Sequence, residues 1–167
     1  MNTKRLYIYQ LICKILPPSK CHGLKSSLLR WCGAKVGKGV EIMSSAKFYG
    51  DFDIEIGDHV FIGHEALIMG AQGSKITIAD YAKVASRAIL VTGYHRFEPD
   101  GNCISGQGMC ADITLGKGCV VSTNSIVYPG KKVGIMAYVT AGSIVTHDVP
   151  DYTRVAGVPA REIMKFK

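Results

Sequence analysis

Residues 115–145, LGKGCVVSTNSIVYPGKKVGIMAYVTAGSIV, place an aliphatic residue at every sixth position. The positions of this unbroken run are Leu115, Val121, Val127, Val133, Val139 and Val145. Three shorter runs upstream have the same spacing, at Val36, Ile42 and Phe48, at Ile56, Ile62 and Ile68, and at Ile78, Val84 and Leu90. Glycine often follows the aliphatic residue, and a small or apolar residue often lies four positions after it. An internal repeat of six residues therefore governs most of the chain.

A period of six residues argues against a helix, because six residues turn an α-helix by about 600° and successive aliphatic side chains would point in different directions. A simple strand would alternate every second residue instead. The repeat fits a short strand plus a turn, with one large and one small inward side chain per unit. Three units then close a triangular coil, and stacked coils form parallel strands about 4.8 Å apart. We predict a mostly β protein, a parallel β-helix of about five coils.

The interruptions of the repeat indicate where loops leave the coils. Extra residues follow Phe48, Ile68 and Leu90, and each of these residues begins the third unit of its coil. The longest insertion lies within residues 92–114. Because loops can leave a prism only at its corners, we predict that all three insertions leave at the same corner. Function is expected to concentrate on these loops.

Two segments before the repeats, residues 3–15 and 24–31, have the spacing of amphipathic helices. We interpret them as a cap over the first coil. The predicted regions are an N-terminal helical cap over 1–33, the β-helix over 34–149 with a corner loop at 92–114, and a C-terminal tail over 150–167 with a short basic helix at 160–167. An alternative for the first segment is a basic helix with Lys4, Arg5, Lys14 and Lys20 that makes peripheral contact with a membrane.

Composition limits the class of protein. The chain has 167 residues, 47% of them hydrophobic, which is enough for one domain with a core. The net charge of +7 suits phosphate, nucleic acid or anionic lipid. Lysine and arginine are scattered rather than gathered on a base-reading helix, so no nucleic-acid partner is predicted.

The six cysteines form no C-x-x-C pair and no secretory signal is evident, so we predict free thiols and a cytoplasmic location, with the inner face of the membrane as an alternative.

Three features together resemble the hexapeptide-repeat acyltransferases. They are the repeats themselves, the segment LVTGYH at 90–95, and AGSIVT at 141–146 followed by AGVPA at 156–160. The branch that fits is the sugar and polysaccharide O-acetyltransferases, which are similar to maltose and galactoside acetyltransferases and to enzymes that decorate capsule, colanic acid or O-antigen. The resemblance implies a left-handed β-helix, a homotrimer, and acetyl-CoA sites in clefts between neighbouring subunits, with no metal required.

The same resemblance implies that His95 is the catalytic base. An alcohol is a poor nucleophile until a base removes its proton, and imidazole titrates near neutral pH. His95 would take the acceptor proton while the hydroxyl oxygen attacks the thioester carbonyl. Glu98, three residues further on, and Glu65, one coil below, are candidates to orient the ring. A carboxylate of this kind is more often simply solvated, and that is the alternative for each of the two.

Binding residues are implied on both sides of the reaction. A family Asn matches Gly63 here, which puts a maltose or galactoside acceptor in doubt, and His64 and Glu65 are the candidates to contact a different acceptor. The residues implied for acetyl-CoA are Ser122, Ala141, Gly142, Thr146, His147 and Arg161. Family basic residues are replaced at His147 and Met164, so phosphate binding is expected to be weaker or rearranged. Coil packing is the alternative role for the small residues in this set.

Other functions remain open on the same scaffold. An N-acetyltransferase acting on an amino-sugar nucleotide would share the coils and the base. A zinc enzyme similar to the γ-class carbonic anhydrases would use His59 and His64, which are five residues apart, but it needs a third histidine, and His22 is a poor candidate. A trimeric scaffold without activity is the last alternative, and the His95 motif argues against it.

Overall fold

The computed structural model describes residues 1–166, and its main element is a three-sided parallel β-helix. We name its faces A, B and C in the order in which the chain crosses them. Face A contains β1 (Lys35–Val36), β4 (Asp53–Ile56), β7 (Lys75–Ile78), β12 (Ile113–Leu115) and β15 (Lys132–Val133). Face B contains β2 (Glu41–Ile42), β5 (Phe61–Ile62), β8 (Lys83–Val84), β13 (Val120–Val121), β16 (Tyr138–Val139), β18 (Thr153–Gly157) and β19 (Ala160–Lys165). Face C contains β3 (Lys47–Tyr49), β6 (Leu67–Met69), β9 (Ile89–Val91), β14 (Ile126–Val127) and β17 (Ile144–Val145).

The chain winds through five coils, and each coil pairs in parallel with the next. On face B, for example, Ile62 lies opposite Val84, and Val84 lies opposite Val121. The repeat aliphatics point inward and are buried, apart from the half-buried Val36 at the first coil. The small residues four positions later, such as Ala66 and Ser125, are fully buried as well. The predicted parallel β-helix of about five coils is confirmed.

Loops leave the coils at the corner between faces C and A, which we call the C–A corner. The strands β3, β6 and β9, after which the repeat is interrupted, all lie on face C. The longest insertion forms an antiparallel hairpin of β10 (Gly93–Phe97) and β11 (Ser105–Cys110). The prediction that the three insertions share one corner is therefore confirmed.

Two helices, α1 (Thr3–Ile15) and α2 (His22–Trp31), cover the open end of the first coil. Leu6 and Tyr9 of α1 are buried, and the Tyr9 ring packs edge-on against Phe48 with the ring centroids 6.0 Å apart. Both helices appear where the sequence pattern predicts them. In residues 1–166 no helix combines the length and the hydropathy that a membrane crossing requires. All six cysteines are free thiols.

The tail corrects one expectation. The basic helix predicted at 160–167 is wrong, because Ala160–Lys165 is the strand β19, which pairs antiparallel with β18. β18 continues face B beyond the fifth coil and offers an open edge of backbone N–H and C=O groups. Pairing satisfies these groups, whereas a helix of so few residues is marginal by itself. Lys167 lies outside the described residues. We keep the division into cap, β-helix and tail as a proposal.

A buried lysine joins the helical cap to the coils. Lys25 of α2 is fully buried, and its Nζ donates to the carbonyl oxygens of Pro17, Pro18 and Ile42 at 3.3, 3.1 and 3.0 Å. These contacts tie the linker between the helices to the first coil. Burial lowers the pKa of the Lys25 ammonium below its usual value.

Replacing Lys25 by methionine should destabilise the protein. The variant Lys25→Met keeps the length of the side chain but removes the three hydrogen bonds that the ammonium group donates, which should cost about 2–3 kcal/mol of unfolding free energy. Chemical denaturation followed by circular dichroism measures this loss. The matched control is Lys83→Met, at an exposed position on face B. Equal stability of the two variants would contradict an anchoring role for Lys25.

Candidate active site

The hairpin that carries His95 is anchored by a closed ring of hydrogen bonds. The Ala71 N–H donates to Thr92 Oγ1 at 2.9 Å, and Ser74 Oγ donates to the Ala71 carbonyl at 2.6 Å. The two hydroxyl oxygens are 2.7 Å apart, and because Ser74 has already used its hydrogen, Thr92 donates to it. Thr92 and Ser74 are both buried. The base of the hairpin is therefore fixed to the insertion of the coil below.

The His95 ring is held by a backbone carbonyl. Its Nδ1 lies 2.9 Å from the Gly106 carbonyl oxygen on the opposite strand of the hairpin. A carbonyl can only accept, so Nδ1 carries the hydrogen and Nε2 of the neutral ring keeps a free lone pair. Nε2 is thus the nitrogen that can receive a proton. The ring is exposed and adjoins a pocket of about 250 Å³ that Tyr94 and Cys110 also line.

Glu98 supports this carbonyl rather than the ring. Its Oε1 accepts from the Gln107 N–H at 3.4 Å, and its backbone N–H donates to the Ile104 carbonyl at 3.0 Å. A β-carbon added at Gly106 would overlap the Glu98 side chain, so the two residues pack in direct contact. Within residues 1–166, no hydrogen bond joins Glu98 to the His95 ring. The structure therefore assigns the Nδ1 partner to a carbonyl, where the sequence pattern had suggested a carboxylate.

Glu65 and His64 lie at the corner between faces B and C, which we call the B–C corner. Glu65 forms an ion pair with Arg87 of the next coil at 2.7 Å, and this hydrogen bond lowers the pKa of Glu65. His64 Nδ1 lies 3.0 Å from Ser45 Oγ. Within one protomer, face C separates both residues from the hairpin. The structure therefore does not bring Glu65 or His64 to His95 of the same chain.

Position 63, where the family resemblance places an asparagine, has no room for a side chain. A β-carbon on Gly63 would come 2.5 Å from the backbone nitrogen of Ser86 in the next coil. An asparagine there would require the backbone to move. The difference at this position is therefore one of backbone geometry as well as of chemistry.

The residues predicted to bind acetyl-CoA fall at two places. Ser122, Ala141 and Gly142 lie at the B–C corner of the fourth and fifth coils, where Gly142 has a φ of +71° and its N–H donates to the Thr123 carbonyl at 2.9 Å. The Ser122 hydroxyl is buried and has no hydrogen-bond partner within residues 1–166. An unpaired buried hydroxyl is uncommon and can serve a ligand.

Thr146 and His147 lie instead at the C–A corner, two coils further along the stack than the hairpin. Thr146 Oγ1 is 3.0 Å from His147 Nδ1. His147 also lines a groove of about 410 Å³ together with Arg161 and Glu162 from the tail. The C–A corner thus carries His95 after the third coil and Thr146 after the fifth, and His147 joins this corner to the groove beside Arg161 at the end of the stack.

The three histidines considered as zinc ligands lie at separate places in the structure. His59 lies at the corner between faces A and B and stacks on Tyr81 with ring centroids 5.0 Å apart, whereas His64 lies at the B–C corner. His22 Nδ1 is 3.1 Å from the Ile42 carbonyl beneath the cap. Among residues 1–166, no three His, Cys, Asp or Glu side chains are grouped as metal ligands would be.

Comparison with known proteins places the chain among acetyltransferases. No family model matches it. It is 28% identical over 143 residues to the protein named colanic acid biosynthesis acetyltransferase WcaF of Escherichia coli K12, covering 86% of this chain and 75% of that one. It is 31% identical over 127 residues to nodulation protein L of Rhizobium meliloti 1021, covering 76% and 68%. It is 27% identical over 155 residues to a dTDP-4-amino-4,6-dideoxy-D-glucose acyltransferase of Escherichia coli, covering 77% and 80%.

Solved structures share the fold along almost the whole chain. A maltose O-acetyltransferase from Clostridium difficile 630 matches with a TM-score of 0.79 and 20% identity, covering 99% of this chain and 87% of that one. The hexapeptide-repeat acetyltransferase VCA0836 of Vibrio cholerae O1 biovar eltor, complexed with acetyl coenzyme A, matches with a TM-score of 0.80 and 23% identity, covering 99% and 87%. These matches confirm the left-handed β-helix.

Sequence patterns missed the parts that hold His95 in place. The hydrogen-bond ring around Thr92 and the contact with the Gly106 carbonyl join residues from different coils or strands. A backbone carbonyl is present at every residue, so residue types cannot show which one will hold His95. The one available signal was that the insertions after Ile68 and Leu90 leave at the same corner.

Removing the Thr92 hydroxyl should loosen the hairpin. Thr92→Val keeps the shape but leaves the Ala71 N–H without its acceptor, which should lower the unfolding free energy by about 1–3 kcal/mol. Faster hydrogen exchange at the hairpin amides, measured by mass spectrometry, would show that the loss is local. Thr114→Val is the control, because that hydroxyl makes no side-chain hydrogen bond within residues 1–166. Unchanged hairpin exchange in Thr92→Val would contradict the anchoring role.

Proposed function

The chain belongs to the hexapeptide-repeat acyltransferase family, and from this membership we propose that it transfers an acetyl group from acetyl-CoA to a hydroxyl group of a sugar or a polysaccharide precursor. The protein is an acyltransferase, and acetyl-CoA is its co-substrate. The observation that carries the O-acetylation proposal is the tautomer of His95, whose Nε2 has a free lone pair while Nδ1 is held by the Gly106 carbonyl.

The reaction needs one proton acceptor that later becomes a donor. His95 Nε2 takes the proton of the acceptor hydroxyl as its oxygen bonds to the thioester carbonyl carbon. The carbon–sulfur bond then breaks, and the imidazolium returns the proton to the leaving CoA thiolate. The Gly106 carbonyl stabilises the transient positive charge, because it accepts a shorter and stronger bond from a charged ring. No acyl-enzyme is required.

Glu98 acts in this proposal as a positioning residue. It packs on Gly106 and accepts from the Gln107 N–H, so it fixes the strand segment whose carbonyl orients the ring. Glu65 belongs to the other corner, where Arg87 keeps it ionised. We therefore propose Glu65 and His64 as acceptor-binding residues rather than as partners of the same chain's His95.

Acetyl-CoA fits along the C–A corner. The pantetheine arm would run from His95 along the corner to Thr146, and the nucleotide phosphates would meet His147 and Arg161 in the groove at the end of the stack. Glu162 in the same groove repels phosphate, which agrees with the expectation of weakened phosphate binding. The buried Ser122 hydroxyl at the B–C corner is suited to hydrogen-bond an amide of the same arm, provided that this corner comes from a neighbouring subunit.

Face C is the surface on which we propose that three copies associate. Its outward residues in one register row are Lys47, Leu67, Ile89, Ile126 and Ile144. The corresponding row on face A is Lys35, Glu55, Thr77, Thr114 and Lys132. After Lys47 the face C row is aliphatic from Leu67 to Ile144, whereas the face A row is polar, and an exposed apolar row is typical of an interface between subunits. A cyclic assembly through face C would bring the B–C corner of one copy toward the C–A corner of the next.

The second candidate function is acetylation of an amino-sugar nucleotide. It is favoured by the match to the dTDP-4-amino-4,6-dideoxy-D-glucose acyltransferase over 77% of this chain. An amine attacks as its neutral form and depends less on a base than a hydroxyl does. Release of CoA thiol in the presence of sugar acceptors and amino-sugar nucleotides, tested side by side, separates the two functions.

For localisation we propose the cytoplasm, where six free thiols stay reduced.

Loss of His95 should abolish most of the activity. We expect His95→Ala to lower kcat by about 10²–10⁴, because the acceptor hydroxyl loses its base, with KM for acetyl-CoA nearly unchanged. CoA release measured with a thiol reagent reports the rate. His59→Ala is the matched control, since His59 stacks on Tyr81 at another corner. Nearly full activity of His95→Ala, or a comparable loss in His59→Ala together with bound zinc, would overturn the assignment.

A charge on the aliphatic row should dissociate the assembly. Ile126→Glu places a carboxylate in the middle of the apolar row of face C, and we expect a monomer with little activity because each site needs two copies. Analytical ultracentrifugation gives the mass in solution. Thr114→Glu makes the same change at the equivalent position of face A and should remain a trimer. A monomeric wild-type protein with full activity would contradict the proposed trimer.

A further inference from the structure

The helix α1 is apolar on two opposite sides. One side packs on the first coil through Leu6, Tyr9 and Cys13, which are all buried. The other side, which we call the outer face of α1, exposes Tyr7, Ile8, Leu11 and Ile15. Tyr7 and Ile15 are 66% and 87% exposed. Neighbouring exposed apolar side chains usually mark a surface that meets a partner, and within residues 1–166 nothing covers this face.

Positive charge is concentrated in the same part of the chain. Of the 20 Lys and Arg residues, 8 precede residue 41, whereas all 13 Asp and Glu residues follow residue 40. Residues 41–167 therefore have a formal charge of −1, and the whole positive excess belongs to residues 1–40. The cap segment thus differs sharply from the coils, which are nearly neutral.

Several of these charges surround the outer face and are free to bind. Lys4 and Lys14 lie on exposed positions of α1, and Lys20 lies in the exposed linker that follows it. None of the three forms an ion pair within residues 1–166. Arg5 lies beside them, where its guanidinium donates to the Trp31 carbonyl at 2.9 Å and covers the indole ring at 5.1 Å.

We propose that the outer face of α1 docks on the surface of an anionic lipid bilayer. The apolar side chains would enter the boundary between headgroups and acyl chains, and Lys4, Lys14 and Lys20 would meet the lipid phosphates. The 13 residues of α1 span about 20 Å, too short to cross a hydrocarbon core of about 30 Å, so the helix lies along the surface.

A second copy of the chain suits this face less well than lipid. Two caps brought together would oppose two strongly positive segments that contain no acidic residue. Self-association already has a suitable surface in the nearly uncharged row of face C. An anionic bilayer instead complements both properties of the cap, its exposed apolar side chains and its positive charge. The inference does not rest on the proposed function, because docking needs neither acetyl-CoA nor an acceptor.

Vesicle sedimentation tests the docking directly. The full-length protein is mixed with vesicles of phosphatidylcholine alone or of phosphatidylcholine and phosphatidylglycerol at three to one, in 0.1 M salt. We expect it to sediment with the anionic vesicles and to stay in solution with the neutral ones. Exchanging Lys4→Gln and Lys14→Gln together should weaken binding by about 25-fold, since each lysine near an anionic surface contributes about fivefold. No binding to the anionic vesicles, or equal binding to both kinds, would overturn the proposal.

A matched pair of double variants tests whether binding to vesicles depends on the outer face of α1 or on exposed apolar side chains in general. Tyr7→Glu with Ile15→Glu changes the two most exposed side chains of that face, and binding should fall by more than about tenfold. Val158→Glu with Ile163→Glu, at exposed positions of the tail, makes the same change of charge and should bind as the wild type does. Thermal unfolding verifies that both fold. Undiminished binding of the first variant, or a fall in its mass by ultracentrifugation, would assign the face to something other than lipid.

The only tryptophan provides a measurement that needs no variant. Trp31 is 44% exposed and adjoins α1 through Arg5. On anionic vesicles its emission should shift to shorter wavelength, and brominated lipids should quench it. Sedimentation with vesicles without any change in Trp31 emission would place the contact away from the cap and contradict the proposal.

Discussion

Hydrogen bonds between successive coils are the constraint from which the rest of the structure follows. On face B, the Glu41 N–H donates to the Val60 carbonyl, the Phe61 N–H to Ala82, and the Lys83 N–H to Cys119, at 2.8–3.1 Å. These bonds set every coil at the same height above the last, so side chains of equal phase stack directly on one another. Each inward side chain therefore has to pack between the equivalent side chains of the two neighbouring coils. The six-residue aliphatic repeat is the consequence of that fit.

The same constraint explains why the candidate base His95 lies at a corner. A strand within a face is paired on both sides and cannot admit an insertion without breaking the stack, whereas a corner can. The hairpin of β10 and β11 leaves at such a corner, and there it is free of the coil geometry. Its precision comes from elsewhere, from the buried ring around Thr92 and from the Gly106 carbonyl that orients His95. A rigid stack thus carries a separately anchored loop.

The open edges at the two ends of the stack are covered in different ways. At the C-terminal end the free edge of β18 is covered by β19, so backbone pairs with backbone. At the N-terminal end the helices cover the first coil with side chains, and Lys25 closes the junction by donating to three carbonyls. That second solution leaves one side of α1 apolar and exposed. In our proposal, one helix therefore both caps the coils and presents a surface to a membrane.

The sequence by itself determined the coil, the shared corner of the insertions, the two cap helices and the candidacy of His95. Each of these rests on local spacing or on a motif, and local spacing survives folding because every coil repeats the same geometry. The tertiary structure decided which carbonyl holds His95, that Glu65 pairs with Arg87 across the B–C corner, and that 160–165 is a strand. These outcomes depend on backbone groups and free sheet edges that become neighbours only when distant segments pack. Backbone carbonyls and unpaired strand edges do not depend on residue type, so the side chains in the sequence could not have predicted where they lie.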